Sequence, residues 1–395
     1  MSTASPTAPA PAPAPAPDEA RTRATWAEAY FDLVLIFGVS QESQVLYESP
    51  RLAALLKVLA VLLPLWWSWV SMTLALNAFS ETHAQRLLLF VAGLATFSMG
   101  VCGPEVFADR TAALVFAGSY LALRVLMAQS IHRSTALSHS INHHVFGSTV
   151  AALLLLAALL PGVWREAAWG VLVLAEAGAP LVHRHRLRGM TFGPSHLPER
   201  FGLFIIIALG ECIASTGLSA TGTTIRPVAL MALSLSFVTG CALWWLYFHF
   251  AASAVEHALR THRTQAVVVR DVLSYGHFAL VVGLLLVAVG AARIVADPTA
   301  VPHSSSACLM PVGAGLFTLT FGFTRWRMFG AASSTRLGTG LCLMLLAAAA
   351  PGLPALLVLG LTSALLVGVN LVEYWMLASG RSVPLLFHRE VDLRP

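Results

Sequence analysis

Apolar stretches of about twenty residues recur along this chain from residue 30 to residue 378. A helix of roughly twenty apolar residues crosses the hydrocarbon core of a bilayer, which is about 30 Å thick. These segments are apolar on all sides, and only 11% of the 395 residues are charged, against about 25% in soluble proteins. The sequence therefore predicts an all-α integral membrane protein that crosses the bilayer many times.

We predict about twelve transmembrane helices. Their ranges are 30–48, 54–78, 87–107, 112–131, 142–161, 166–183, 200–218, 227–250, 271–295, 307–328, 338–351 and 354–378. Pro351 and Pro354 are compatible with a tight turn or with a broken helix between the last two segments. Because the segment 338–351 is short for a full span, a count of ten or eleven helices stays open.

The distribution of positive charge predicts the orientation, because Lys and Arg are retained on the cytoplasmic side. The amino terminus, the even-numbered loops and the carboxyl terminus hold 17 of the 24 Lys and Arg residues, and the opposite loops hold six. This bias predicts both termini in the cytoplasm and the protein in the inner (plasma) membrane. It also supplies most of the net charge of +5, so we predict the lipid bilayer and not nucleic acid as a partner.

The two ends of the chain are predicted to lie outside the membrane. Residues 1–24 are rich in Pro and Ala and carry no apolar signal-peptide core, so we predict a disordered cytoplasmic tail. Residues 381–395 are predicted as a second cytoplasmic tail. The five cysteines are scattered, and no Gly-rich phosphate loop, metalloprotease motif or nucleophile elbow is present. We therefore predict no metal and no cofactor.

Two distant segments resemble each other. Glu28 opens an apolar helix that is followed by Leu65-Trp66-Trp67, and Glu199 opens one that is followed by Leu243-Trp244-Trp245. Charged residues within later spans also match in position, and these are Arg124 with Arg325 and Glu176 with Glu373. An even number of spans separates the copies, which gives both the same orientation, as in parallel transporter repeats. We predict two six-helix repeats, 25–190 and 191–380.

These motifs resemble one known family. The segment Glu28–Val34 resembles the opening motif of the bacterial low-temperature-requirement A (LtrA) family, and His196–Glu211 resembles its second motif. Trp244–Phe248 and Arg270-Asp271 with Tyr275 and His277 are further matches. The chain departs from the family pattern at His249, where Asp is usual, and at 78–83, where a basic and acidic cluster is usual. The resemblance covers nearly the whole chain after residue 24 and implies an integral membrane protein.

Acidic residues within the predicted spans are the first functional candidates. A carboxylate at the bilayer centre costs about 2.5–3.5 kcal/mol on insertion scales, so it normally faces a protein interior or a water-filled cavity. Glu28, Asp32 and Glu42 form one stripe on the first helix, and Glu211 lies deep in the seventh. We predict proton or cation coupling at these positions. The alternatives are helix capping by Glu28, a structural ion pair of Asp32 with an arginine, and a structural interhelical hydrogen bond or ion pair of Glu211.

Arginines within or beside the spans are the predicted partners of these acids. Arg200 or Arg124 is predicted to tune Glu211. Within each repeat, Arg124 is predicted to pair with Glu176, and Arg325 with Glu373. Such pairs are compatible with a structural role as well as with a proton path.

Aromatic and histidine side chains complete the set of candidates. Four tryptophans are predicted either to wall a central cavity or to lie in the membrane-interface belt, and they are Trp66, Trp67, Trp244 and Trp245. Three further residues are candidate proton relays, and they are His196, Tyr275 and His277.

Together these features favour a secondary-transporter-like permease that moves an unknown small molecule or ion through a site between its two halves. The first alternative is an intramembrane enzyme that acts on a lipid, with His196 or His277 as acid or base. The second is a non-catalytic membrane-homeostasis or stress factor. The sequence specifies neither the substrate nor the oligomeric state.

Overall fold

A computed structural model describes residues 24–77, 83–132, 141–182, 192–221, 226–249, 251–302 and 305–386. The amino-terminal tail, apart from residue 24, and most of the carboxyl-terminal tail lie outside these ranges, and so does the predicted boundary between the repeats near 190.

The described residues form a bundle of helices. The helices are α1 (Trp26–Glu48), α2 (Leu52–Asn77), α3 (His83–Cys102), α4 (Arg110–His132), α5 (Ile141–Ala157), α6 (Gly162–Val182), α7 (His196–Ala220), α8 (Pro227–Phe248), α9 (Ala251–Thr261), α10 (Gln265–Val268), α11 (His277–Ala296), α12 (Leu309–Phe329), α13 (Ser334–Ala349) and α14 (Ala355–Ala378). A π-helical segment, Val269–Gly276, joins α10 to α11. Two short strands, β1 (Ala332–Ser333) and β2 (Leu385–Leu386), pair antiparallel.

The predicted all-α polytopic class is confirmed. The twelve predicted segments correspond to α1–α8 and α11–α14. In the described ranges, eight helical stretches are long and apolar enough to cross a membrane, and they contain α2, α3, α4, α7, α8, α11, α12 and α14. Helix α1 carries several acidic residues, and α13 has only 16 residues. The orientation of the termini stays a prediction.

Local sequence explains where two functionally important helices begin and end. Helix α1 starts with a capping box, in which Thr25 Oγ1 accepts the Glu28 N–H at 3.3 Å and Glu28 Oε2 accepts the Thr25 N–H at 2.8 Å. Helix α12 ends at Gly330, which has a φ of 72° that L side chains rarely adopt. The chain then turns through β1 directly into α13.

The helices of the first half (α1–α6) and of the second half (α7–α14) have similar neighbours. Helix α1 packs on α3, α3 on α4 and α4 on α5, while α7 packs on α11, α11 on α12 and α12 on α13. Helix α1 also packs on α7 and α11. The stretch Gln265–Ala296 is the most buried of the eight apolar stretches, at 83%. Helix α11 therefore lies at the centre of the bundle.

Close packing of α11 on α12 depends on glycine. A Cβ atom built on Gly313 would lie 2.7 Å from the backbone nitrogen of Val287, and a Cβ on Gly283 would lie 2.9 Å from the carbonyl oxygen of Gly313. Real Cβ atoms do not approach other atoms this closely. Small residues allow such backbone contact between membrane helices.

Candidate functional site

The first turns of α1 and α7 meet in a cluster of buried charges. Arg200 Nη1 lies 2.6 Å from Glu28 Oε1, and Arg200 Nη2 lies 3.1 Å from Asp32 Oδ1. The three side chains are at most 5% exposed. The guanidinium of α7 thus binds two carboxylates of the acidic stripe predicted on α1, and we call these residues with His196 the α1–α7 cluster.

Helix α2 supplies two further polar groups. Trp69 Nε1 donates a hydrogen bond to Asp32 Oδ1 at 2.6 Å. Asn77 Nδ2 lies 3.2 Å from His196 Nδ1, and His196 Nε2 lies 3.3 Å from Glu28 Oε2. Trp69 closes the motif Leu65-Trp66-Trp67-Ser68-Trp69 and belongs to the predicted aromatic wall, whereas the sequence analysis did not single out Asn77.

The hydrogen bonds assign the protonation of His196. The Gly193 N–H donates to Asn77 Oδ1 at 3.0 Å, which orients the Asn77 amide so that its Nδ2 donates to His196 Nδ1. Nε2 of His196 then carries the proton and donates to Glu28. In this arrangement the imidazole is neutral.

The α1–α7 cluster therefore carries a surplus negative charge. It contains two carboxylates and one guanidinium, and Oδ2 of Asp32 is buried without a hydrogen-bond partner among the described residues. A buried, uncompensated charge is costly. One bound proton, on Asp32 or on His196, would make the cluster neutral. Proton exchange is the chemistry that this arrangement can perform.

Glu211 lies outside the cluster but on the same interface. It is half-buried, and its Oε1 accepts a hydrogen bond from Ser40 Oγ of α1 at 2.7 Å. The prediction that Arg200 or Arg124 is its partner is wrong. Arg200 lies eleven residues earlier, about 16 Å along the helix, and binds α1, whereas Arg124 binds Glu176.

Glu42 faces a different neighbour. Its side chain is buried, at 2% exposure, and its Oε1 has no hydrogen-bond partner in the described ranges. A Cβ atom built on Gly103, directly after α3, would clash with this oxygen. The predicted stripe is therefore split, because Glu28 and Asp32 contact α7 while Glu42 contacts the turn after α3.

Of the two pairs predicted within the halves, one is present and one is wrong. Arg124 binds Glu176 and also donates to Ser71 Oγ at 2.9 Å. Glu373, however, is bound by Arg336, with Nη2 2.9 Å from Oε2, and not by Arg325. Arg336 lies in the first turn of α13, which the sequence analysis had assigned to a cytoplasmic loop, and its long side chain reaches α14 from there.

The tryptophan pairs do not share a cavity, which contradicts that prediction. Trp66 and Trp67 are buried, whereas Trp244 and Trp245 are 47% and 39% exposed on the outer surface of α8. Helix α2 packs inside the bundle, but α8 lies at its periphery and packs mainly on α14 and α7. The same sequence motif therefore meets two environments, and the exposed pair fits the interfacial belt.

The π-helical segment organises contacts between the halves. Trp66 Nε1 donates to the carbonyl oxygen of Ser274 at 2.9 Å, and the Tyr275 hydroxyl donates to the carbonyl oxygen of Ala177 in α6. π-helical turns are frequent at functional sites. His277 Nε2 is hydrogen-bonded to Tyr247 at 2.8 Å, so the observed partners of Tyr275 and His277 differ from those of His196. A relay role of the three residues stays a prediction.

Comparison with known proteins identifies a family that the chain matches. A family model described as bacterial low temperature requirement A protein (LtrA) matches residues 23–371, a range that contains every residue of the α1–α7 cluster. An uncharacterized protein of Rhizobium meliloti (strain 1021) is 27% identical over 293 residues, which cover 70% of this chain and 71% of that protein. No solved structure matches the chain.

Proposed function

The chain belongs to the bacterial low temperature requirement A family of membrane proteins, and on this premise we propose that it is a proton- or cation-linked permease of the inner membrane. One observation carries the proposal, namely the α1–α7 cluster with two carboxylates for one guanidinium and a buried, unpartnered oxygen on Asp32. Ionisable residues inside a membrane bundle commonly belong to ion pathways and proton relays.

The contact between Ser40 and Glu211 supports a two-repeat design. These residues are 171 positions apart, which is also the separation of the matching Glu28 and Glu199. Two equivalent positions related by a twofold axis touch each other only close to that axis. In this proposal the axis runs between α1 and α7, which lie in the same direction because Glu28 contacts Arg200 and Ser40 contacts Glu211.

Transport sites in repeat folds lie at the repeat interface, and this location suggests a coupling mechanism. A proton on Asp32 removes the surplus charge of the α1–α7 cluster and weakens the attraction of Arg200 for α1. Loss of that proton strengthens the attraction again. Proton occupancy would thereby shift the equilibrium between two packings of α1 on α7, provided that the two packings bind the proton with different affinity. Glu211, about 16 Å further along α7 from Arg200, is proposed as a second proton or cation site.

Proton flux in liposomes tests this function. The purified full-length protein is reconstituted with an internal pH-sensitive dye, and flux is measured under an imposed pH gradient while small molecules are screened. We expect wild type to carry a solute-dependent proton flux that Asp32→Asn abolishes and Glu211→Gln reduces. Glu166→Gln is the matched control, because Glu166 pairs with the half-exposed Lys57 far from the cluster.

Wild-type flux in Asp32→Asn, with the variant folded and monodisperse, would refute the role of the cluster. Wild-type flux in Glu211→Gln would remove Glu211 from the mechanism. An isotope-labelled solute recovered in chemically changed form would instead favour the intramembrane enzyme.

A further inference from the structure

A cavity of about 300 Å³ lies within the second half, between α8, α9, α11, α12, α13 and α14. This volume falls at the lower end of the range for small-molecule sites, roughly 300–1,000 Å³. No residue of the α1–α7 cluster lines it. Much of its wall is apolar and includes Leu280, Phe321 and Leu377. The cavity is thus a separate site with room for an apolar group.

The charged groups of the wall leave one positive charge uncompensated. Arg336 and Glu373 neutralise each other, since Nε of Arg336 lies 3.1 Å from both carboxylate oxygens. Arg325 also lines the cavity, and its Nε is buried without a hydrogen-bond partner among the described residues. Its guanidinium lies 5.8 Å from the ring of Phe329. Glu373 attracts it and Arg336 repels it, but among the described residues the ion pair of Glu373 is with Arg336. The guanidinium of Arg325 is therefore available to an anion.

The two remaining titratable side chains of the wall, Tyr247 and His277, add no charge. His277 Nδ1 lies 2.9 Å from the carbonyl oxygen of Val272, so this nitrogen carries the proton. Nε2 then accepts the hydroxyl hydrogen of Tyr247 at 2.8 Å. Both side chains are satisfied by each other and by the backbone, and the imidazole is neutral.

The first half has no such arrangement at the matching position. Arg124, the sequence counterpart of Arg325, is fully buried and binds Glu176 directly. Its guanidinium packs so closely on α5 that a Cβ atom on Gly147 would lie 2.9 Å from Arg124 Cζ. In the second half Arg336 binds the carboxylate of Glu373, and Arg325 is left without an ion pair to it. At these two matching positions, the guanidinium without an ion pair is thus found in the second half and not in the first.

The carboxyl-terminal segment forms one side of the cavity. Ser382, Val383 and Leu385 line it. They are held by pairing of β2 with β1 and by a hydrogen bond from the Ser334 N–H to the Pro384 carbonyl oxygen at 3.0 Å. The cavity therefore closes against a short extended strand and not against another membrane helix.

We propose that this cavity binds an amphipathic anion, whose carboxylate or phosphate group pairs with Arg325 and whose apolar chain lies against Leu280, Phe321 and Leu377. Arginine binds both anionic groups through parallel N–H donors. A purely apolar ligand would leave the guanidinium unpaired, and an inorganic anion would leave the apolar wall empty. The proposal is independent of the transport mechanism at the α1–α7 cluster.

Binding of radiolabelled dodecanoate to the full chain in phosphatidylcholine nanodiscs tests the proposal, with empty nanodiscs as background. Competitors are dodecyl phosphate, dodecanol and inorganic phosphate. For wild type we expect saturable binding, competition by dodecyl phosphate, competition by dodecanol at least about tenfold weaker, and none by inorganic phosphate. The relative strength of the two anionic amphiphiles identifies the preferred head group.

Three variants assign the binding to the cavity. Arg325→Gln should weaken dodecanoate binding about tenfold or more and abolish the preference over dodecanol. Leu280→Phe keeps the charge but fills the cavity, and it should weaken both amphiphiles. Arg381→Gln is the matched control, because Arg381 stacks on Trp375 and does not line the cavity, so it should bind as wild type.

Unchanged binding in both Arg325→Gln and Leu280→Phe would overturn the proposal, as would equal competition by dodecanol or by inorganic phosphate. If Arg325→Gln does not fold, Leu280→Phe alone decides between a ligand in the cavity and non-specific partition into the bilayer.

Discussion

Arg200 of α7 binds Asp32 of α1 between the opening turns of the two helices, with 3.1 Å between Nη2 and Oδ1 and no more than 1% of either side chain exposed. The same guanidinium also reaches Glu28, so a single cation holds the opening turns of two helices that are far apart in sequence. The indole of Trp69 donates to Asp32 from a third helix. The ion pairs of Arg200 link the acidic stripe of α1 to α7. Their contribution to the free energy of unfolding can be measured by substitution.

Arg200→Gln should destabilise the protein by about 3–5 kcal/mol, because it leaves two buried carboxylates without their cation. The double variant Arg200→Gln/Asp32→Asn should recover part of that loss, since it removes one uncompensated charge. Thermal or denaturant unfolding in detergent measures the free energies of the cycle.

Arg260→Gln is the control for this cycle. Arg260 forms an i,i+4 pair with Glu256, and both side chains are about half-exposed, so its loss should cost at most about 1 kcal/mol. A similar effect of the Arg260 and Arg200 substitutions would contradict the buried ion pairs described above.

Arg336→Gln and Arg325→Gln should differ clearly in stability. Arg336 makes hydrogen bonds to both oxygens of Glu373 in a buried setting, so its substitution should cost about 3–5 kcal/mol. Arg325 has no such partner, and its substitution should change the free energy of unfolding by less than about 1 kcal/mol. Unfolding of the two purified variants, compared with wild type, measures the difference. A larger loss of stability in Arg325→Gln than in Arg336→Gln would support the ion pair of Arg325 with Glu373 that was predicted from the repeat.

Gly103→Ala should destabilise the protein by about 1–3 kcal/mol, because its Cβ atom would clash with Glu42 Oε1. Glu42→Ala in the same chain should relieve the clash, so the double variant should lose less than the sum of the two single variants. Thermal unfolding of the four proteins reports this coupling.

Gly360→Ala provides the comparison for Gly103. A Cβ atom at Gly360, in the second turn of α14, has no neighbour within 4 Å, and alanine in a helix interior is favoured over glycine by about 0.5–1 kcal/mol. Gly360→Ala should therefore be neutral or stabilising. An equal loss at both glycines would mean that Glu42 does not lie against Gly103.

The helices were predictable from sequence because each one is a nearly continuous apolar run. The open question at Pro351 and Pro354 is resolved as a turn, since α13 ends at Ala349, α14 begins at Ala355, and Gly352 between them has a φ of 88°. The separate helix α9 was not predicted, because its residues were assigned to the loop between the eighth predicted span, 227–250, and the ninth, 271–295. The acids and arginines were recognised as candidates because charge is rare in such segments.

The pairing of these charges was only partly predictable. Arg124 with Glu176 could be inferred because both lie inside spans of one half. The pair of Arg325 with Glu373 was inferred by analogy with the first half. It is wrong because Arg336, in the first turn of α13, binds the Glu373 carboxylate instead. A helical wheel gives the face on which a residue lies, but a long guanidinium side chain can bind any carboxylate within several ångströms of its own helix.

The sequence by itself determined the class of protein, the positions of the twelve main helices and the residue types that are costly in a membrane, because all three depend on local composition and on the thickness of a bilayer. The tertiary structure alone decided which charges meet, which tryptophans are buried and where a cavity remains. These properties depend on the relative rotation and depth of neighbouring helices. Contacts between distant parts of the chain set both, as Arg200 with Asp32 and the free guanidinium of Arg325 illustrate.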